Sequence, residues 1–436
     1  MNQLKLQAIT VRRLVSAVLV IAITSVLYAK IDVDRPLERN VNVEGSALLD
    51  TDLCKFWNSP VFFELAAVDT VKLCLENGSD PKVRDEEGTT PLHHAAKFTQ
   101  DWAAIELLID AGADPNTKND MQRTALHYAA SIRRNSEVVG TLLRLGAKPY
   151  LGDFYAQTPL HFAAMSTDDV SVIQQLIDKG VDPNVEEWRK WTPLHLAAAS
   201  NTNRDVSKVL IQNGAELEAR DIHGWTPLVM ALRTANDDVF ELLLNEGADP
   251  IPVDDVGRTP LFYARNASST EILLKRGANI SARDKWGKTP LHDIGYRTFN
   301  SDVIELLINA GAGVRALDAR GRTPLHYLYS GIGTKQGAND VLDIYIAHGA
   351  DVNAKDDDGD TPLHLALSSS LSCGSLECEA AIVALLSVGA DARQKNDEGK
   401  VPWEIAQENE RLMKNDQFLQ SDAANRMRDI VRNAVK

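Results

Sequence analysis

The sequence predicts an all-α solenoid of about eleven stacked helix-turn-helix units with short β-hairpin tips. Three observations carry that expectation. The tetrad Thr-Pro-Leu-His or a near relative recurs nine times, beginning at Thr90, Thr124, Thr158, Thr192, Thr226, Thr259, Thr289, Thr323 and Thr361. Gly-Ala-Asp or a variant follows each tetrad, about 22 residues on in the regular copies, from Gly112 to Gly389. Between these marks run apolar stripes at helical spacing, such as AAIELLIDAG ending at Gly112 and DVFELLLNEG ending at Gly247.

Each mark has a physical reason. Thr caps the first helix of a unit with its hydroxyl, and Pro in the first turn needs no partner for an N–H. Leu then enters the core. The second helix stops at Gly, which takes the left-handed conformation at little cost. Asp, Asn and Gly in the next segment turn a hairpin. A chain of 436 residues is long for a single ordinary core. A solenoid escapes that limit because each unit packs only on its neighbours.

The pattern resembles the ankyrin repeat from roughly Phe56 to Lys436. The resemblance implies repeats over 56–400 and a C-terminal capping repeat over 401–436, whose stripe Met427, Ile430, Val431 and Val435 would cover the last interface. Pro60 to Asp80 reads as a first repeat without the tetrad. The Thr259 repeat is short between its helices, and loops are inserted at 330–340 and 368–380. Seven histidines, His93, His127, His161, His195, His292, His326 and His364, sit in the tetrads. In this family that histidine bonds to backbone between repeats, which removes it from any catalytic or metal-binding role.

The N-terminus is a separate object. Met1 to Arg13 carries Lys5, Arg12 and Arg13 and no acid, and Leu14 to Ala29 is an unbroken apolar run. That order describes an export signal over 1–29, followed by a linker over 30–55. The run is shorter than the roughly 20 residues a spanning helix needs, yet an uncleaved membrane anchor at 14–29 stays open. The four cysteines fall in two close pairs, Cys54 with Cys74 and Cys373 with Cys378. In an exported chain such pairs read as disulfides, with free buried thiols as the alternative.

No chemistry of catalysis is legible. The chain lacks an HExxH helix, a Gly-x-Ser-x-Gly elbow and a phosphate-cradling loop. The run Asp356-Asp357-Asp358-Gly359-Asp360 puts Ala354 and Leu365 where a calcium loop needs its first and last ligands, so it reads as an acidic tip. No metal or cofactor is expected. The formal net charge of −15 makes nucleic acid a poor partner. The expected partner is another protein, with a membrane involved only if the N-terminal segment stays uncleaved.

The expected function is therefore a non-catalytic protein-binding scaffold, exported to the periplasm or secreted. A membrane-anchored spacer or tether, or an accessory subunit of an exported enzyme, are the alternatives. By the resemblance, hairpin tips and first helices form a concave gripping face. Candidate anchors there are Phe154, Tyr155, Trp188, Arg189, Trp191, His223, Trp225 and Trp286, with Arg258, Lys288 and Arg322 extending a basic edge. Exposed aromatic rings on successive turns need a cover, which is why the tips draw attention. Gln122, Ala156 and Lys190 replace the tip glycine in three successive repeats, which leaves the geometry of those turns open.

Overall fold

The computed structural model describes residues 53–99, 101–297, 300–328, 338–370 and 376–405, together with residues 429 and 433. The chain divides into two units, Met1–Asp50 and Thr51–Lys436, and every described residue belongs to the second. The export segment, Cys373, most of the inserted loops, and all of the capping repeat beyond residue 405 except those two positions lie outside the described residues. So does the side chain of Cys378.

Ten helix pairs follow one another among the described residues. The first members are Pro60–Leu65, Pro91–Phe98, Ala125–Ala130, Pro159–Ser166, Pro193–Ser200, Pro227–Thr234, Pro260–Tyr263, Pro290–Arg297, Pro324–Leu328 and Pro362–Ser370. The second members are Val68–Glu76, Trp102–Asp110, Ser136–Arg144, Val170–Asp178, Arg204–Gln212, Asp237–Asn245, Ala267–Lys275, Ser301–Asn309, Ala338–Ala347 and Leu376–Ser387. First members pack on first members of the neighbouring repeats, and second on second, so one apolar core runs through the stack. Leu92, Leu126, Leu160 and Leu194, the tetrad leucines, are all but fully buried. Among the described residues no helix is long and apolar enough to cross a membrane.

The tetrad histidines act as rivets. Each Nδ1 accepts the backbone N–H of its own tetrad Thr, at 3.0 Å for Thr124 and His127, and lies beside the Thr hydroxyl. With Nδ1 accepting, Nε2 carries the proton and donates it to a carbonyl of the next repeat. His93 reaches Arg123 O, His127 Gln157 O, His161 Trp191 O and His195 Trp225 O, each at 3.0 Å. His292, His326 and His364 do the same toward Arg322, Asp360 and Lys400.

Two consecutive repeats lack the rivet. Val229 and Phe262 stand where the histidine would be. The hydroxyls of Thr226 and Thr259 are buried there with no hydrogen-bond partner among the described residues. The shortening of the Thr259 repeat falls on its first helix, which is reduced to a 3-10 turn. The second helices of these two repeats, Asp237–Asn245 and Ala267–Lys275, make less contact with each other than any other consecutive pair of second helices.

The fold begins inside the stretch read as linker. Cys54–Phe56 forms a 3-10 turn, and Cys54 is joined to the fully buried Cys74, their Cα atoms 5.5 Å apart. Trp57 packs edge-on against Phe62, and its indole N–H donates to Asp80 O at 2.8 Å. Ser59 caps the following helix by accepting from Phe62 N. This first repeat has no tetrad, so a disulfide and an aromatic cluster close the end of the core in its place.

Candidate functional site

Every tip is built on one carboxylate or amide. In the tip 221–225 the Asp221 Oδ1 accepts the N–H groups of His223 at 2.8 Å and Trp225 at 2.9 Å. Asp221 N donates to Trp225 O, and Gly224 N donates back to Asp221 O. Asp85, Asn119, Asp153, Glu187, Asp254, Asp284, Asp318, Asp356 and Asn396 open their tips in the same way. Consecutive tips are joined by single backbone hydrogen bonds, such as Trp188 N to Tyr155 O at 3.2 Å. The tips are therefore turns linked one bond at a time; no strand forms among the described residues, contrary to the expected β-hairpins.

The fourth residue of each turn has positive φ. Gln122, Ala156 and Lys190 adopt φ of 59°, 61° and 60°, so the turn persists without glycine. At most glycine tips a Cβ would crowd the next tip: at Gly224 it would stand 2.6 Å from Asp255 Oδ1, and at Gly321 it would press on Asp357 Oδ1. After Gln122, Ala156 and Lys190 the corresponding residues are Phe154, Trp188 and Ile222, with no carboxylate in that place.

The second oxygen of the opening carboxylate ties repeats together. Asp153 takes Arg123 Nε at 3.1 Å, Asp221 takes the Trp191 indole N–H at 2.9 Å, and Asp356 takes Arg322 Nε at 2.9 Å. Asp254 takes both the Trp225 indole at 3.2 Å and the Tyr263 hydroxyl at 2.5 Å. Arg258 bonds Asp284 at 3.1 Å and Asp293 at 3.2 Å, both carboxylates nearly inaccessible to solvent. The donors Arg123, Trp191, Trp225, Arg258 and Arg322 all occupy the last position of a tip, next to the tetrad Thr.

This geometry divides the expected anchors. Trp191 and Trp225 are half-buried and aimed at the following tip, whereas both were expected to stand exposed. Arg258 and Arg322 are neutralised by buried carboxylates, and Lys288 lies over the Tyr327 ring at 3.8 Å, so the basic edge is mostly bound internally. The reason is register: the last tip position faces along the stack, whereas the second and third project, joined by the fourth where Gln122, Ala156 and Lys190 replace glycine.

What projects is apolar. Phe154 is 68% exposed and Trp188 54%, and Tyr155 lies between them, with ring centroids 5.3 Å and 6.3 Å away. Met121 and Ile222, which sequence reading passed over, are exposed on the tips before and after. The signal was present: each of these four tips has a large apolar residue at its second or third position, Met121, Phe154 with Tyr155, Trp188 and Ile222. Arg189 lies over Trp188 at 4.4 Å and Trp191 at 5.5 Å. Trp286 stands apart, exposed, with Lys285 and Arg258 at 4.5 Å and 5.6 Å from its ring.

Behind these tips lies a cleft of about 520 Å³ between the Thr192 and Thr226 repeats, lined by Arg189, Trp191, His223, Trp225, Met230 and Arg233, with Ala199, Ser200 and Thr234 at its far side. A second hollow of about 460 Å³ shares Ala199, Ser200 and Thr234 with it and ends at Asp237 and Asp238. The Arg233 guanidinium stacks 3.5 Å from the Trp225 ring, and His223 lies 4.7 Å away on that ring. The room exists because Ala199 stands where the Thr226 repeat has Arg233.

Burial pushes His93, His127 and His161 down to about 4, only partly offset by their carbonyl partners, so they are neutral at pH 7. Burial likewise raises Glu187, which opens a tip where other repeats use Asp or Asn. Among the described residues no group of three or more His, Cys, Asp or Glu side chains could hold a metal ion.

The chain matches the family model for ankyrin repeats (3 copies) at residues 63–153, 160–254 and 220–284, and that for ankyrin repeats (many copies) at residues 335–378. Together these stretches span more than half of the sequence. The crystal structure of the human ASB11 ankyrin repeat domain aligns with 51% of this chain and 99% of its own length, at 25% identity and a TM-score of 0.47. No curated protein matches the chain significantly.

Proposed function

The chain belongs to the ankyrin-repeat family and is accordingly a protein-binding scaffold; we propose that it works outside the cytoplasm and grips its partner across the tips from Met121 to Ile222. The observation that carries this reading is the row Phe154, Tyr155 and Trp188, three rings in mutual contact on two adjacent turns and open to solvent. Large rings so placed add nothing to the core and cost solubility until something covers them. Trp and Tyr, with a neighbouring Arg, are the side chains that most often anchor interfaces. Export is supported by the basic-then-apolar N-terminal segment and by the Cys54–Cys74 bond, which suits an oxidising compartment.

Crosslinking and pull-down from the native compartment tests the scaffold. The wild type should capture a partner that a Phe154→Ala/Trp188→Ala double variant of equal thermal stability loses. Equal capture by both would refute the aromatic row as the site. Mass spectrometry of the native protein should find a new N-terminus close to Lys30. An intact Met1 would replace the exported scaffold with the tether anchored by residues 14–29.

A further inference from the structure

The cleft behind the tips adds the partner's chemistry to that reading, on which it rests. Its walls are the indoles of Trp191 and Trp225, whose N–H groups are already spent on Asp221 and Asp254. They therefore offer only ring surface to a guest. Met230, buried below, and Ala199 complete an apolar floor. The mouth toward the tips carries the guanidinium of Arg189, which is exposed, rests on two rings and forms no ion pair among the described residues. The Arg233 guanidinium also lines the cleft, stacked on the Trp225 ring. The adjoining hollow, which shares Ala199, Ser200 and Thr234 with the cleft, carries Asp237 and Asp238.

We infer that this cleft takes one apolar or aromatic side chain from an extended segment of the partner protein, with an Asp or Glu side chain beside it meeting Arg189. The cleft is lined by Arg189 and the hollow that continues from it by Asp237 and Asp238, so a segment crossing both meets opposite signs. A guest carrying acid on both sides of its anchor is repelled at Asp237 and Asp238, so the acid lies on one side only. The volume of about 520 Å³ has room for one large side chain. Guanidinium groups held over indole faces are pre-oriented, which lowers the entropy lost on meeting a carboxylate. The net charge of −15 makes this local positive site the exception on an acidic chain, and it would select acidic segments against that background.

The experiment selects a phage-displayed library of random short peptides on the full chain, then measures the best peptide, labelled, by fluorescence anisotropy. Enriched peptides should place Trp, Phe, Leu or Met next to Asp or Glu on one side. Arg189→Glu should weaken binding roughly tenfold or more, and added salt should weaken it further. Ser200→Trp, which fills the cleft from an exposed position, should abolish it. Lys208→Glu, an exposed charge reversal on the second helix of the same repeat, should leave it unchanged. Melting temperatures of the variants establish that each is folded. Enrichment of basic or charge-free peptides would overturn the carboxylate, and binding that survives Ser200→Trp would overturn the cleft. A requirement for a free C-terminal carboxylate would overturn the side-chain source. If no peptide is enriched while crosslinking still captures a partner, the inference fails and the scaffold stands.

Discussion

The indole of Trp191 donates to the Asp221 carboxylate of the following repeat at 2.9 Å, in the same slot through which Arg123 holds Asp153 and Arg322 holds Asp356. A ring that looks like an interface anchor in sequence is thus also a tie between repeats.

Replacing Trp191 with Ala should lower stability by roughly 2 kcal/mol, because it strips packing and leaves Asp221, only 4% exposed, without its donor. Trp191→Arg should restore most of that loss, since Arg already serves this slot elsewhere. Phe154→Ala and Trp188→Ala should each stay within roughly 0.5 kcal/mol of wild type, being exposed. Urea unfolding of the four variants checks the pattern. A harmless Trp191→Ala would show that the bond contributes nothing.

Acid should weaken the stack through its histidines. Their ordinary value is 6.5, and burial lowers His93, His127 and His161 to about 4 in the folded chain. Between those values the unfolded chain binds more protons, so stability falls as pH drops through that window and the loss levels off below it. Each histidine contributes up to roughly 3 kcal/mol of this loss. His127→Val should cost stability at neutral pH and make the acid limb shallower. An unaltered slope in unfolding curves from about pH 7 to about pH 5 would count against the rivet as the sensor.

Ala156→Gly should stabilise the chain. Ala156 has φ of 61°, a conformation that costs an L-residue roughly 1–2 kcal/mol, while glycine adds back less than that in unfolded-chain entropy. A net gain of roughly 0.5–1 kcal/mol follows. The same holds for Gln122→Gly and Lys190→Gly, at φ of 59° and 60°. A lowered melting temperature in all three would mean that these side chains make contacts worth more than the strain.

Much of this was legible in the chain itself. Thr, Pro, Leu, His and Gly at fixed intervals specify caps, core and stops, and those constraints are local, so the helices fall where the spacing puts them. The site was less legible. Trp188 and Trp191 are three residues apart and chemically alike, yet one projects and the other turns along the stack. That difference follows from their places in one tip, second against last, and is readable only once Glu187 is recognised as the residue that opens it. Arg258 and Arg322 misled in the same way, because their partners Asp284 and Asp356 lie a full repeat away. The cleft was invisible because it depends on a small residue, Ala199, beside a large one, Arg233, in the neighbouring repeat.

The two unriveted repeats give the array a yield point. In a linear assembly tension passes through every interface in turn, so the chain parts at its weakest coupling. At Thr226 and Thr259 the histidine bridge is missing, two buried hydroxyls lack partners among the described residues, and the second helices of the two repeats make little contact with each other. Pulled from its ends, the molecule should give way there first, shedding load as two blocks before either unravels. Val229→His, which restores a ring between Thr226 and the Arg258 carbonyl, should raise the force of that first event in an optical-tweezers trace and leave the later ones in place.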